Sequence, residues 1–110
     1  SVRFVTAQAL KTKGFPVTDC SSGIEALKLL ADKDDFDLLI SDMVMPQMDG
    51  KTLIQKAKEA YPKLKTILMS GYSEDLFNPK STKEFSNTGF LQKPFEITEL
   101  IQKVRETLED

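Results

Sequence analysis

The chain lacks histidine altogether and contains a single cysteine, Cys20. Without histidine it can form neither a catalytic triad that depends on an imidazole base nor a histidine-ligated metal site. A lone cysteine excludes an internal disulfide and is typical of a reducing compartment such as the cytoplasm. These absences argue against imidazole-based catalysis and against a disulfide-stabilised domain.

Long apolar runs and an excess of basic charge are also missing. No apolar run approaches the roughly 20 residues of a membrane-spanning helix, and the net charge of -2 offers no clustered basic face for nucleic acid. The 110 residues are 40% hydrophobic and 29% charged, which is ordinary for one globular domain. We therefore expect a single domain over residues 1–110 that contacts neither membrane nor nucleic acid.

The spacing of apolar residues predicts alternating helices and strands. Strict alternation of this kind favours an α/β fold with a doubly wound parallel sheet. Pro16 restricts the first predicted strand to the edge of the sheet. Because the chain opens on a helix where such folds open on a strand, the pattern predicts a further strand before Ser1. Helices are predicted at 2–13, 23–31, 50–61 and 97–108, strands at 15–20, 36–41, 65–70 and 89–92, and irregular structure at 71–88, with short helical turns at 73–77 and 82–85.

One carboxylate stands where a buried strand ends. The apolar run of residues 36–41 leads directly into Asp42, and a loop containing Pro46 then leads to Asp49-Gly50 at the start of a helix. Open α/β sheets bind ligands at the carboxyl ends of their strands. A carboxylate at that place can act as a nucleophile, as a metal ligand, or as both. Asp49 is better explained as the N-cap of the helix.

Two more polar side chains follow the next strands. Ser70 ends one strand and Lys93 follows another, so both are expected at the same sheet edge as Asp42. A carboxylate oxygen can attack a phosphoryl group, and catalysis of such transfers is mostly positioning and electrostatics. An ammonium and a hydroxyl are suitable donors to the phosphoryl oxygens, and Mg²⁺ can neutralise the remaining charge.

Three motifs in this order resemble the receiver domains of two-component response regulators and hybrid histidine kinases. They are the loop Asp42–Gly50, the pair Ser70-Gly71 after an apolar strand, and Lys93-Pro94-Phe95 before the last helix. The resemblance covers the whole chain. It implies a flavodoxin-like, five-stranded, doubly wound parallel sheet in the order 2-1-3-4-5. The first strand of that sheet is expected before Ser1 and is missing from this chain.

The resemblance implies a role for four residues. Asp42 would accept a phosphoryl group from a partner's phosphohistidine, and Lys93 would contact that group. The Ser70 hydroxyl would move toward the phosphoryl group, and the aromatic ring of Phe90 would reorient with it. Since the chain has no histidine of its own, the donor would be a histidine kinase or a histidine phosphotransfer protein.

The resemblance also implies a metal site and a backbone feature. Asp42 and the backbone carbonyl of Val44 would ligate Mg²⁺ together with an acidic pair expected before Ser1. The Lys93-Pro94 peptide bond would be cis. The domain would act in cytoplasmic signalling and not as an enzyme with a small substrate. Homodimer formation, the output and the kinase are left open, and the segment after Gly71 resembles hybrid-kinase receivers more than those of transcription factors.

Two other functions fit parts of the sequence. The acidic pair is not found in these residues, so a receiver-like interaction module that no longer takes phosphate is the alternative. A phosphatase with an aspartyl phosphate intermediate usually carries a second acid two residues after its nucleophile; that position here is Val44, which argues against turnover of small substrates. Single residues also have simpler explanations, since Ser70 could cap a helix and Phe90 could be an ordinary core residue.

Overall fold

A three-stranded parallel sheet lies at the centre of the described part of the molecule. The structure, a computed structural model, describes residues 2–33, 35–43, 47–71 and 88–109, without the side chains of residues 2–6. Within those residues the sheet order is β1-β2-β3, so the strands pair in chain order. The elements are α1 (Val2–Thr12), α2 (Gly23–Asp32), β1 (Leu38–Asp42), α3 (Gly50–Ala60), β2 (Lys65–Ser70), β3 (Thr88–Gln92) and α4 (Ile97–Glu109).

The sheet register places the strand ends side by side. Asp42 of β1 lies opposite Met69 of β2, and Ser70 of β2 lies opposite Gln92 of β3. Because all three strands are parallel, their carboxyl ends form one edge of the sheet. The three strands observed follow one another in space as they do in the chain, which is the 3-4-5 part of the expected flavodoxin-like order.

Helices cover both faces of the sheet, as a doubly wound fold requires. Side chains of β2 alternate between the faces because successive residues of a strand point in opposite directions. Ile67 and Met69 join a core cluster with α1 and α4, whereas Leu68 packs against Ile54 of α3. A third cluster joins α2, α3 and the residue before β2 through Leu30, Ala57 and Leu64. The α/β fold with a parallel sheet is therefore confirmed.

The helix boundaries have local causes that the sequence shows. The Ser22 hydroxyl accepts a hydrogen bond from the Glu25 amide at 3.1 Å and caps α2, as its spacing predicted. Asp49 caps α3 in the same way. Gly14 follows α1 with a positive φ of 92°, a conformation that glycine adopts without steric cost.

The strand predicted at 15–20 is wrong for this structure. Residues 15–20 form no ladder, although Phe15 and Val17 still pack against the core cluster beneath α1 and α4. A strand exists only where a neighbour completes its hydrogen bonds, and no strand of the described residues lies beside this segment. In the sheet that the described residues form, β1 is instead the outer strand on that side. The short helical turns predicted at 73–77 and 82–85 lie outside the described residues.

Candidate functional site

Three strand ends bring the predicted polar residues to one edge of the sheet. Asp42 is the last residue of β1, Ser70 is the last residue of β2, and Lys93 directly follows β3. Backbone hydrogen bonds continue the pairing past the strands. The Met43 amide donates to the Met69 carbonyl at 2.8 Å, and the Lys93 amide donates to the Ser70 carbonyl at 2.7 Å. The sheet therefore fixes the backbone of this edge on both sides of Ser70.

Asp42 and Lys93 form an ion pair across this edge. The Lys93 ammonium contacts Oδ1 of Asp42, so their side chains span the strand that lies between their own strands. The side chain of Asp42 keeps 26% of its surface exposed, and that of Lys93 keeps 28%. Solvent, and hence a ligand, can reach both partners. The pair combines a nucleophilic oxygen with a cation placed to stabilise added negative charge.

Ser70 is buried beside this ion pair. Its residue surface is 3% exposed, and its hydroxyl donates a hydrogen bond to the sulfur of Met43 at 3.8 Å. Met43 follows Asp42 directly, so this contact connects the end of β2 to the loop after β1. The structure thus places the Ser70 side chain at the Asp42 edge and in contact with the residue next to Asp42.

The first turn of α3 closes on the end of β1. The Gly50 amide donates to the Met43 carbonyl at 2.8 Å. A Cβ on Gly50 would overlap the carbonyl oxygen of Asp42 and lie 2.8 Å from Cδ1 of Leu68. Only glycine allows so close an approach of helix and strand. Gly50 is therefore required by packing, a role that the sequence pattern did not predict.

Asp49 acts as a helix cap, as predicted. Its carboxylate accepts a hydrogen bond from the Thr52 amide at 2.8 Å. The hydrogen bonds from the amide and the side chain of Thr52 lower the pKa of Asp49 below its ordinary value, and nearby Lys51 acts in the same direction. Asp49 therefore organises the start of α3, where a negative charge is also favourable for the helix dipole.

Phe90 lies in the middle of β3 and is half-buried. It packs with Met43 against the same two buried side chains, Leu68 and Ile54. Phe90 is thus two residues before Gln92, on the face of the sheet that α3 covers. The structure also contains the Lys93-Pro94 cis peptide bond that the resemblance implied.

The described residues do not make a magnesium site on their own. Within residues 2–33, 35–43, 47–71 and 88–109, no three His, Cys, Asp or Glu side chains come together as metal ligands. Mg²⁺ requires about six oxygen ligands in octahedral geometry, and Asp42 is already paired with Lys93. Val44, expected to contribute its carbonyl, lies outside the described residues, and the acidic pair was expected before Ser1. Of the residues predicted for this edge, the structure therefore describes Asp42, Lys93 and Ser70.

Sequence reasoning did not find Met43 as a contact of Ser70. A methionine at the end of an apolar strand is normally interpreted as a core residue. Only the register of β1 against β2 shows that the sulfur of Met43 contacts the Ser70 hydroxyl. The close approach at Gly50 was equally hidden. The Asp49-Gly50 pair in the sequence indicates the start of a helix, but the sequence does not show the packing that requires glycine at position 50.

The fold and the site define a doubly wound α/β domain with an aspartate, a lysine and a hydroxyl at the carboxyl edge of its parallel sheet. The family profile described as the response regulator receiver domain matches residues 1–105. The chain belongs to this family of two-component signalling. Receiver domains are signalling domains and generally not metabolic enzymes.

Relatives of this chain differ in length. The sensor kinase CckA of Brucella abortus is 38% identical over 110 residues, which cover 99% of this chain and 12% of that protein. The transcriptional regulator NtrC of Escherichia coli K12 is 36% identical over 108 residues, 98% of this chain and 23% of NtrC. The receiver protein CpdR of Brucella abortus is 33% identical over 107 residues, 97% of this chain and 88% of CpdR. The chain therefore spans about an eighth of CckA and about a quarter of NtrC.

Solved receiver structures share the fold. A response regulator receiver protein from Sinorhizobium medicae superposes with a TM-score of 0.85 at 26% identity, covering 98% of this chain and 86% of that one. A CheY-like receiver domain from Methanospirillum hungatei gives 0.85 at 26% identity, covering 96% and 83%. In the described parts of this chain, no helix is both long enough and apolar enough to cross a bilayer.

Proposed function

We propose that Asp42 accepts a phosphoryl group from the phosphohistidine of a histidine kinase or a histidine phosphotransfer protein. The observation that supports this most strongly is the Asp42–Lys93 ion pair at the carboxyl edge of the sheet. A cation in contact with the attacking carboxylate also lies beside the position that a phosphoryl group on that carboxylate would take. Phosphoryl transfer needs this kind of positioned positive charge more than it needs a strong acid or base.

The reaction exchanges one bond to phosphorus for another. A carboxylate oxygen of Asp42 attacks the phosphorus, a P–O bond forms, and the P–N bond to the partner's imidazole breaks. The imidazole leaves with the electron pair of that bond and takes a proton from solvent. Lys93 stabilises the charge on the phosphoryl oxygens, and the Ser70 hydroxyl donates to one of them. The product is an aspartyl phosphate on Asp42.

We also propose that Mg²⁺ binds at this site. Receiver domains typically bind Mg²⁺ at the phosphorylation site, where the ion neutralises phosphoryl charge. In this chain Asp42 and the Val44 carbonyl are the proposed ligands, together with the acidic pair expected before Ser1. We also propose a cytoplasmic location, which the presence of only one cysteine, Cys20, supports because no internal disulfide can form.

The test uses the full-length protein that contains this chain, with Mg²⁺ and phosphoramidate, whose P–N bond mimics that of phosphohistidine. Intact-mass spectrometry should show one added phosphoryl group on the wild type and none on Asp42→Asn. Asp37→Asn is the matched control, because Asp37 is an exposed carboxylate just before the same strand. If Asp42→Asn gains the group as the wild type does, the proposal is wrong. A wild type that never gains it favours the alternative of a pure interaction module.

We also propose that phosphorylation changes an output surface. The Ser70 hydroxyl would turn to the phosphoryl group, and Phe90 and α4 would repack as a consequence. Phe90 packs against Leu68 and Ile54, and so shares buried neighbours with Met43 beside the site. Two-dimensional NMR with and without phosphodonor should show shifts at Phe90 and along α4. Unchanged spectra in a protein that carries the phosphoryl group would refute this switch.

A further inference from the structure

The sulfur of Met43 contacts the hydroxyl that the proposed reaction uses. The Ser70 O–H donates to Met43 Sδ at 3.8 Å. The two residues lie opposite each other because the Met43 amide continues the β1–β2 ladder by one residue, donating to the Met69 carbonyl at 2.8 Å. Ser70 is almost fully buried. Its hydroxyl is therefore directed by neighbouring protein atoms, and Met43 is one of them.

A thioether is a suitable acceptor for a hydroxyl that must later move. Thioether sulfur is a weak acceptor, so the hydrogen bond orients the hydroxyl at little cost to its release. A phosphoryl oxygen is charged and makes a shorter and stronger bond with the same donor. An exchange of acceptor from Met43 to a phosphoryl group on Asp42 is therefore favourable in energy.

Met43 also connects Ser70 to the packing around Phe90. Both Met43 and Phe90 pack against Leu68 and Ile54, which are fully buried. A methionine side chain is unbranched and flexible, so it can adjust when its sulfur loses a partner. Movement of Ser70 away from Met43 would thus change the packing of the same cluster against which the ring of Phe90 lies.

We propose that Met43 is a positioning residue: its sulfur holds the Ser70 hydroxyl and thereby sets how readily the domain switches. The inference rests on the proposed phosphorylation of Asp42. Met43 does not touch the phosphoryl group itself. It acts by stabilising the arrangement in which Ser70 points to sulfur, and so it opposes the arrangement in which Ser70 points to the phosphoryl group.

The contact is tested first, in the full-length protein labelled with ¹³C at its methionine methyl groups. Ser70→Ala should shift the Met43 methyl resonance and leave that of Met69 in place, because Met69 packs in the cluster on the other face of the sheet. Ser70→Thr, which keeps the hydroxyl, should shift the Met43 resonance less than Ser70→Ala does. Equal shifts at Met43 and Met69, or none at Met43, would overturn the contact.

The effect on switching is tested with Met43→Leu, which keeps the volume and removes the sulfur. The probe is beryllofluoride with Mg²⁺, a mimic of the phosphoryl group on a carboxylate. Met43→Leu should bind it about two- to fivefold more tightly, the factor expected for removing one weak net hydrogen bond from the unswitched arrangement. Met69→Leu, the same change in β2, should bind it as the wild type does. In a Ser70→Ala background Met43→Leu should have no effect.

The outcomes separate the two proposals. A gain in affinity that is equal with and without the Ser70 hydroxyl would overturn the role of Met43, because packing alone would then explain it. A wild type that gains the phosphoryl group while Met43→Leu binds beryllofluoride unchanged would refute the inference and leave the proposed function standing. A wild type that neither gains the group nor binds the mimic would refute both.

Discussion

Replacing Gly50 with alanine should strongly destabilise the domain, because the first turn of α3 lies directly on the end of β1. A Cβ on Gly50 would overlap the backbone oxygen of Asp42 and lie 2.8 Å from both the Asp42 carbonyl carbon and Leu68 Cδ1. Ordinary contacts of a Cβ begin at 3.4 Å. The helix or the strand must therefore move by at least about 0.6 Å in a close-packed region, where displacement is costly.

The size of the effect follows from three contributions. Overpacking of a well-packed site costs about 1–3 kcal/mol. Displacing the helix also weakens the hydrogen bond from the Gly50 amide to the Met43 carbonyl, worth about 1 kcal/mol. Alanine recovers up to about 1 kcal/mol through its better helix propensity. We expect a net loss of about 1–3 kcal/mol, or a fall of the melting temperature by about 5–15 °C for a domain of this size.

Two other glycines provide matched controls for this prediction. Among the residues that the structure describes, none lies within 4 Å of a Cβ added to Gly71, so Gly71→Ala should change stability by less than about 0.5 kcal/mol. The described residues likewise leave open space around a Cβ added to Gly14, but its φ is +92°, so Gly14→Ala should cost about 1 kcal/mol through backbone strain alone. Urea denaturation followed by circular dichroism ranks the three. If Gly50→Ala is as stable as Gly71→Ala, the close approach of α3 to β1 is wrong.

Three further predictions follow from single side chains. Asp49→Ala should cost about 1 kcal/mol at neutral pH. Because hydrogen bonds from Thr52 lower the pKa of Asp49, this contribution is complete above pH 3.8 and is lost as pH falls through the lower folded-state pKa. A difference in urea midpoint between wild type and variant that stays constant over that range would refute it. Burial and the charge of Lys65 lower the pKa of Lys58, so the wild type should gain stability relative to Lys58→Met as pH rises through the lowered folded-state pKa, and the gain should be complete above 10.5, where the lysine becomes neutral in both states. Parallel stability curves would contradict this. Gln47 has a φ of 71°, so Gln47→Val should destabilise the domain by about 1–2 kcal/mol and Gln47→Gly should not, and equal melting temperatures of the two variants would show that the left-handed backbone carries no cost.

Local sequence signals predicted the regular elements well. The Ser22 and Asp49 caps, the glycine after α1 and the apolar runs of β1 and β2 depend on residues close together in the chain. The segment 15–20 shows the limit of such signals. Its composition suits an edge strand, but a strand forms only if another strand lies beside it, and that neighbour is a tertiary property.

The sequence also predicted which residues lie at the candidate site. Asp42, Ser70 and Lys93 each follow an apolar run, and the parallel arrangement predicted from alternation brings such positions to one edge. Which side chains make contact there was not predictable. The ion pair spans the strand between Asp42 and Lys93, and the partner of Ser70 depends on the register of β1 against β2.

The sequence by itself determined the fold class, the three polar strand ends and the order of the elements apart from the strand predicted at 15–20, because hydrophobic periodicity, capping and turn chemistry act over a few residues. Tertiary structure alone decided that α3 approaches β1 closely enough to require Gly50 and that the sulfur of Met43 meets the hydroxyl of Ser70. Both features result from atoms of different secondary-structure elements that packing brings within contact distance. Such distances depend on register and helix placement, which no local pattern encodes.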